Sequence, residues 1–151
     1  MKLRPEEIIQ AQCVDFTRVM CPQVLLVASM NGMYLGGGKN VRAYIHKMLK
    51  LGMRPGDLDL RLHWRGLAGD GADCSEAPMT AYIELKAGKN PLTDQEIDFM
   101  AELSRIGILR DWTNSFEGYV DILKKWQVPM RSGLYAGIGY IRPQWLEVRK
   151  P

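Results

Sequence analysis

Three side chains in the middle of the chain have the types and spacing of a metal-dependent hydrolytic site. Asp59 lies in one segment of alternating hydrophobicity, and Glu84 and Lys86 lie in the next. If these segments pair as strands, their polar faces share one side of the sheet and Asp59 faces Glu84. Two converging carboxylates repel unless a cation lies between them, and oxygen ligands favour Mg²⁺ or Mn²⁺. A lysine beside such an ion can hold an attacking water or stabilise charge developing on a phosphate.

The same three residues also have a simpler interpretation. Glu-x-Lys is common on strands, so Glu84 can instead form an ion pair with Lys86 or Arg61 on a solvated face. The tripeptide alone does not separate the two interpretations, and the surrounding sequence has to do so.

Period-two alternation defines the two strands that carry these residues. Residues 58–64 place four apolar side chains on one side, namely Leu58, Leu60, Leu62 and Trp64. Residues 80–86 alternate in the same way, with Ala81, Ile83 and Leu85 on the apolar side. Such alternation predicts strands with one buried face. The Gly- and acid-rich residues 65–78 between them predict a long hairpin loop.

Helical periodicity and capping signals define the remaining elements. Thr93 and Glu96 form a capping box that predicts a helix from about Thr93 to Ile106. Asn114 and Glu117 predict the start of a final helix that ends near Trp126. The other predicted elements are a helix over 5–20, a buried strand over 24–28, a Gly-rich loop over 29–40, a helix beginning at Val41 and a strand over 108–112. This order of helices and strands predicts a mixed α/β layer fold.

Composition excludes several classes of protein. The 151 residues are 46% hydrophobic and 25% charged, which is typical of one folded domain. No apolar run is long enough for a membrane span, and three cysteines without CxxC pairing indicate a reducing compartment. With two histidines, this content excludes zinc ribbons, zinc fingers and HExxH proteases. The glycines before Lys39 do not form a P-loop, because Met33 and Asn40 replace its Gly and Ser/Thr, so no nucleotide cofactor is expected.

The charge is distributed unevenly, although the net charge is only +3. Residues 16–56 contain no acid and six bases, which are Arg18, Lys39, Arg42, Lys47, Lys50 and Arg54. Acids outnumber bases over residues 57–123. This arrangement suits a polyanion held by basic residues over a metal-binding centre, although two solvated faces would give the same pattern.

Taken together, these motifs resemble the VRR-NUC domain (virus-type replication-repair nuclease) of the PD-(D/E)XK nuclease superfamily. The resemblance covers residues 5–126. It includes Glu6 followed four residues later by Gln10, and a Gly-rich loop with Asn31-Gly32. It continues with Gly52 and Arg54-Pro55-Gly56 ahead of the acidic strand.

The resemblance assigns roles to individual residues. The metal-binding Asp of the family falls on Asp59, its Glu-x-Lys on Glu84 and Lys86, and its motif Gln on Gln95. The Leu85 carbonyl is the expected third protein ligand. Leu58 stands where the family usually has Pro, which makes Asp57 an alternative ligand, but Asp57 would lie at the mouth of the strand. Glu7 similarly competes with Glu6 for the helical glutamate.

The resemblance implies an Mg²⁺- or Mn²⁺-dependent endonuclease that acts on DNA, of the compact type found in phages and prophages. The expected substrate is branched or Holliday-junction-like DNA, cut by a homodimer in the cytoplasm of a bacterium or phage-infected host. Five basic residues are expected to contact DNA phosphates, namely Lys39, Arg42, Lys47, Lys50 and Arg54. Residues 127–151 form an aromatic, basic extension expected to pack on the domain or on a partner subunit. A nucleic-acid-binding or assembly module that retains the fold without cleaving is the alternative.

Overall fold

The structure is a computed structural model that describes residues 3–29, 41–51, 53–54, 56–68 and 75–131. Its elements, in chain order, are α1 (Pro5–Met20), β1 (Leu25–Ala28), α2 (Val41–Lys50), β2 (Leu60–Ala68), β3 (Ser75–Leu85), α3 (Asp94–Arg105), β4 (Leu109–Thr113) and α4 (Phe116–Lys125). The predicted order of helices and strands is therefore confirmed. The Gly-rich residues 30–40, and residues 132–151 of the extension, lie outside the described residues.

The four strands form one mixed sheet in the order β1-β2-β3-β4. β1 pairs with β2 and β2 pairs with β3 in antiparallel fashion, whereas β3 and β4 run parallel. A parallel pair needs a crossover connection, and α3 provides it between β3 and β4. The chain is thus an α/β protein with a four-stranded mixed sheet flanked by helices. Within the described ranges, no helix is long and apolar enough to cross a membrane.

The buried face of the sheet carries the core, as the alternation predicted. Leu60, Leu62, Ala81 and Ile83 are fully buried there. Helices α1 and α4 cover this face and contact each other, and the rings of Phe16 and Phe116 meet edge to face at a centroid distance of 5.4 Å. The predicted core role of Cys13 is confirmed, because its side chain is buried in the same cluster.

A buried hydrogen bond links the two helices of this layer. The hydroxyl of Thr17 donates to the Cys13 carbonyl at 2.8 Å and lies 2.6 Å from the hydroxyl of Tyr119. Because the Thr17 proton is directed at Cys13, Tyr119 is the donor in the second bond. The pair therefore fixes the position of α4 relative to α1.

The predicted hairpin loop over residues 65–78 is wrong. β2 and β3 remain paired from Arg65 opposite Pro78 to Ala68 opposite Ser75, so both strands are longer than predicted. Pro78 does not interrupt the ladder, because it lies in the part of β3 that β4 does not reach. Proline is tolerated at such edge positions, where the missing N–H leaves no ladder bond unmade.

Two further predictions are corrected by the structure. β1 is not a buried strand, because Leu25 is 63% exposed and Val27 is 41% exposed. β1 pairs only with β2 among the described strands, so it lies at the sheet edge. The cap of α4 is Ser115, whose hydroxyl accepts from the Gly118 N–H, rather than Asn114. The amide of Asn114 instead donates to the Gly88 carbonyl at 2.8 Å.

Candidate active site

The strand register brings Asp59 and Glu84 together at one end of the β2–β3 hairpin. Leu60 pairs with Ile83, so the preceding Asp59 lies opposite Glu84. The Leu85 N–H donates to Asp59 Oδ2 at 2.9 Å, and the Asp59 N–H donates to Glu84 Oε2 at 3.3 Å. These reciprocal bonds hold the two carboxylates in a fixed relation at the end of the ladder.

Lys86, the residue directly after β3, belongs to the same cluster as this carboxylate pair. Its ammonium lies 2.7 Å from Glu84 Oε1 and 2.8 Å from Glu96 Oε2. Its main-chain N–H donates to the Thr113 carbonyl at 2.9 Å, which continues the pairing of β3 with β4 by one residue. The Glu84–Lys86 pair of the simpler interpretation therefore exists. It is buried rather than solvated, with side-chain exposures of 5% and 11%.

Glu96 also belongs to this cluster, although its spacing from Thr93 predicted only a capping role. That role is confirmed, because the Thr93 N–H donates to Glu96 Oε2 and the Glu96 N–H donates to Thr93 Oγ1. The same carboxylate also binds Lys86. The only signal in the sequence was the short connection from Lys86 to the helix start, which places the first turn of α3 near the end of β3.

Glu6 reaches the cluster from α1, and Glu7 does not. Glu6 Oε1 accepts from the Ala87 N–H at 3.2 Å, directly after Lys86. Glu7 instead pairs with Arg4, completing the cap at the start of α1. The end of β3 thus meets α1 through Glu6 and α3 through Glu96.

Asp57, the alternative ligand, is engaged outside this cluster. It forms an ion pair with Arg61 and accepts from the Ser29 hydroxyl at 3.2 Å. The guanidinium of Arg61 also lies over the Tyr82 ring, 5.6 Å from its centroid. His63, further along β2, is bonded to Thr80 and so is also held away from the carboxylates.

The first turn of α3 lies directly against the turn that leads to Asp59. Gly56 has a φ of +77°, a conformation that side chains disfavour, and a Cβ there would overlap the main chain of Gln95. The contact thus uses the backbone of Gln95, whose side chain is exposed. Gly56 therefore allows α3 to approach closely enough for Glu96 to reach Lys86.

The pKa values of Asp59 and Glu84 are both raised, chiefly because the two carboxyls are buried. Burial raises the pKa of Asp59, although the Leu85 N–H and the charge of Lys86 oppose the rise. Burial and the charge of Asp59 raise the pKa of Glu84 to about 8. Both shifts mean that the folded protein resists holding two negative charges there.

The partners on the other side of the cluster remain charged. Burial works against the charge of Lys86, but its hydrogen bonds to Glu84 and Glu96 outweigh burial and raise its pKa. Burial likewise works against the charge of Glu96, and the bonds from Lys86 and the Thr93 N–H outweigh it and lower the pKa of Glu96. Lys86 is therefore an ammonium at neutral pH, suited to donating hydrogen bonds rather than accepting a proton.

The donor set fits a hard divalent cation. Two carboxylates with raised pKa values converge at Asp59 and Glu84, and the main-chain carbonyl of Leu85 lies next to them in sequence. In the described part of the chain, no three Asp, Glu, His or Cys side chains converge as a ready set of metal ligands. Two carboxylates are nevertheless enough for Mg²⁺, which typically uses one or two and keeps several waters.

The structure describes some of the basic residues predicted to contact DNA. Lys47 and Lys50 are exposed on α2. Arg54 forms an ion pair with Glu102, and its guanidinium lies 4.9 Å from the centroid of the Phe99 ring. Lys39 and the side chain of Arg42 lie outside the described residues.

The described residues of the C-terminal extension pack against the hydrophobic core. Val128 is 4% exposed within the main hydrophobic cluster, and Met130 packs against that cluster. The Arg131 N–H donates to the Met20 carbonyl at the end of α1. Residues 127–131 therefore pack on the same domain that carries the site.

The chain was compared with protein-family models, with curated proteins and with solved structures. None of the three comparisons found a match.

Proposed function

We propose that this chain is a divalent-metal-dependent DNA endonuclease of the PD-(D/E)XK superfamily, similar to VRR-NUC domains. One observation carries the proposal: the main-chain N–H of Asp59 donates to the Glu84 carboxylate, and the Lys86 ammonium contacts the same carboxylate. Metal-assisted phosphodiester hydrolysis needs carboxylate oxygens for a cation and a positive group near the phosphate. The other features of the proposal, including the superfamily, rest on the sequence resemblance.

Asp59, Glu84 and the Leu85 carbonyl would hold Mg²⁺ or Mn²⁺. When bound, such an ion polarises the phosphate and favours ionisation of a bound water. Burial and the charge of Asp59 raise the pKa of Glu84, so a cation between the two carboxyls would favour their ionised forms. The residues themselves therefore supply an electrostatic reason to bind a cation.

Lys86 would act as a hydrogen-bond donor and a fixed positive charge. Its ammonium is held between Glu84 and Glu96, so little reorganisation is needed when charge develops on the phosphate. Because its pKa is raised, Lys86 does not serve as the base. Glu96 is a positioning residue in this scheme, since it acts through Lys86.

The exposed Lys47 and Lys50 of α2 would contact DNA phosphates, together with Lys39, Arg42 and Arg54 of the same acid-free segment. Contacts of this kind provide affinity without reading sequence. We therefore propose that selection depends on DNA structure, with branched or Holliday-junction-like DNA as the substrate.

A cleavage assay with labelled linear, nicked, flapped and four-way-junction DNAs tests the proposal. Each DNA is incubated with the full chain in Mg²⁺, Mn²⁺, Ca²⁺ or EDTA. We expect cleavage in Mg²⁺ or Mn²⁺, none in EDTA, and a preference for branched DNA. Glu84→Gln should be inactive, whereas Glu76→Gln, on the same strand and exposed, should cleave normally. Failure to cleave any of these DNAs in any of the metals would refute the proposal that the chain is an endonuclease.

One observation favours the alternative of a binding or assembly module that does not cleave. Lys86 already neutralises Glu84 at 2.7 Å, so charge balance at Glu84 does not by itself require a metal. The same assay separates the two functions when DNA binding is measured in parallel. Binding of branched DNA without cleavage in Mg²⁺ or Mn²⁺ would support the module.

We also propose a homodimer, because two-fold symmetric DNA requires two sites in fixed relation. Residues 132–151 include Leu134, Tyr135, Ile138, Tyr140, Ile141 and Trp145, apolar surface suited to an interface. Light scattering of the full chain and of a chain ending at Arg131 tests this. A monomeric full chain would refute the dimer, and a dimeric truncated chain would place the interface elsewhere.

A further inference from the structure

An open groove of about 380 Å³ lies between the β3–α3 connection and the end of β4. Its apolar walls are Pro91, Leu92, Ile97 and Trp112, and its polar rim includes Lys89 and Asn90. We call it the Trp112 groove. Its volume is near the lower end of the range for sites that bind small organic groups.

The strand register places this groove on the same face as the candidate active site. In the parallel pairing of β3 with β4, Trp112 is the direct partner of Glu84. Partnered residues on neighbouring strands project from the same face, and neighbouring strands lie about 4.8 Å apart. Asp111, the preceding residue, confirms this orientation, since it projects to the opposite face and pairs with Lys125 of α4. Trp112 therefore lies one strand away from Glu84.

The composition of the groove suits a flat, partly polar ligand with a negative charge. Trp112 is 42% exposed and Ile97 is 49% exposed, so both offer apolar surface to a ligand. Lys89 is exposed, and no acidic side chain in the described part of the chain pairs with it. A nucleobase has π-faces that stack on tryptophan, and its phosphate complements a lysine.

We infer that the Trp112 groove binds an unpaired base of the DNA substrate, stacked on Trp112 with its phosphate near Lys89. This inference rests on the proposed function and narrows its substrate to DNA with a single-stranded segment at the cleavage site. A base inside a duplex is already stacked on its neighbours, so its faces cannot reach Trp112. The pairing of β3 with β4 fixes the spacing between Trp112 and Glu84. An unpaired base bound beside Glu84 would therefore place its adjoining phosphodiester at the carboxylates.

The test measures binding in EDTA, so that cleavage plays no part. The probes are a fluorescein-labelled DNA with splayed single-stranded arms and a blunt duplex of equal length. A second splayed DNA carries 2-aminopurine in one arm, whose emission falls when the base stacks. The proteins are the full chain, Trp112→Ala, Trp112→Phe and Ile106→Ala. Ile106 is a matched control, since it is 61% exposed at the opposite end of α3. Melting temperatures verify that each variant is folded.

We expect Trp112→Ala to weaken binding of splayed DNA about 10-fold or more, the usual effect of removing one stacking platform. Binding of the blunt duplex should change little, and Trp112→Phe and Ile106→Ala should bind both DNAs like the full chain. The 2-aminopurine quenching should disappear only in Trp112→Ala. Equal loss for both DNAs, or no loss in Trp112→Ala, would overturn the inference.

These outcomes remain distinguishable from failure of the proposed function. If the full chain cleaves DNA and Trp112→Ala binds splayed DNA normally, the inference fails and the endonuclease stands. If no cleavage occurs but Trp112→Ala selectively loses splayed DNA, the groove binds bases and the endonuclease fails.

Discussion

Replacing Glu84 by glutamine should stabilise the fold while it abolishes cleavage. The amide has nearly the same shape as the carboxyl, and its single carbonyl oxygen can still accept from the Lys86 ammonium, but the amide nitrogen then faces the Asp59 N–H and cannot accept that bond. The amide cannot ionise, however, so the cost of burying a charge at this position disappears, together with the repulsion between Glu84 and Asp59. Active sites commonly trade stability for function in this way.

The magnitude follows from the pKa of Glu84, which rises from its ordinary value of 4.5 to about 8. A full rise of this size corresponds to roughly 5 kcal/mol between the two protonation states. The attraction to Lys86 is already contained in this pKa, but the variant leaves the Asp59 N–H without its acceptor, which returns about 1–3 kcal/mol of that gain. We therefore expect Glu84→Gln to raise the free energy of unfolding at pH 9 by about 2–4 kcal/mol.

The sign of the pH dependence is fixed by the direction of the shift. Because the folded protein binds the Glu84 proton more tightly than the unfolded chain, this group contributes stability fully below pH 4.5. The contribution is lost as the pH rises through about 8. The variant should therefore be no more stable than the native chain near pH 5 and should become more stable than the native chain toward pH 9.

Urea denaturation in EDTA between pH 5 and pH 9 measures this effect. Glu76→Gln is the control, since it removes a carboxylate from an exposed position of the same strand and should stay within about 0.5 kcal/mol throughout. A Glu84→Gln variant that is less stable than the native chain at pH 9 would refute the reasoning. So would a gain that does not depend on pH.

Three further predictions address the site, the basic helix and the core. Asp59→Ala and Lys86→Ala should each reduce the cleavage rate by at least about 100-fold in Mg²⁺, with DNA affinity in Ca²⁺ nearly unchanged, and native-rate cleavage by either would exclude that residue. Neutralising Lys47 and Lys50 together should lower the slope of log affinity against log salt by about 2, measured by titration at several salt concentrations; an unchanged slope would leave them as solvated residues. Tyr119→Phe should lower the free energy of unfolding by about 1 kcal/mol in urea, because Thr17 loses its donor, and a neutral result would count against that bond.

Much of the sheet could be predicted because its signals are local. Alternating apolar residues define the buried face of β2 and β3, since solvent exclusion acts on each side chain separately. The same alternation placed Asp59 and Glu84 on one face of the sheet. The hairpin length could not be predicted, because the Gly66 and Pro78 signals are outweighed by pairing with a partner strand.

The rest of the cluster could not be predicted because it depends on contacts between distant elements. Glu96 has a complete local explanation as a capping residue, so its bond to Lys86 appears only when α3 folds back beside β3. Trp112 occurs in a predicted strand, but its position beside Glu84 depends on parallel register. Periodicity assigns each residue to a face of the sheet, but it does not say which residue of a neighbouring strand will be its partner.

Gly56 offers no functional group, yet its lack of a side chain controls the assembly of the candidate site. Any side chain at this position would push the first turn of α3 away from the turn before Asp59. We therefore expect natural variation at position 56 to be as restricted as at position 59, for reasons of volume and backbone conformation rather than chemistry. A genetic screen for inactive variants should recover substitutions of Gly56 together with those of the carboxylates.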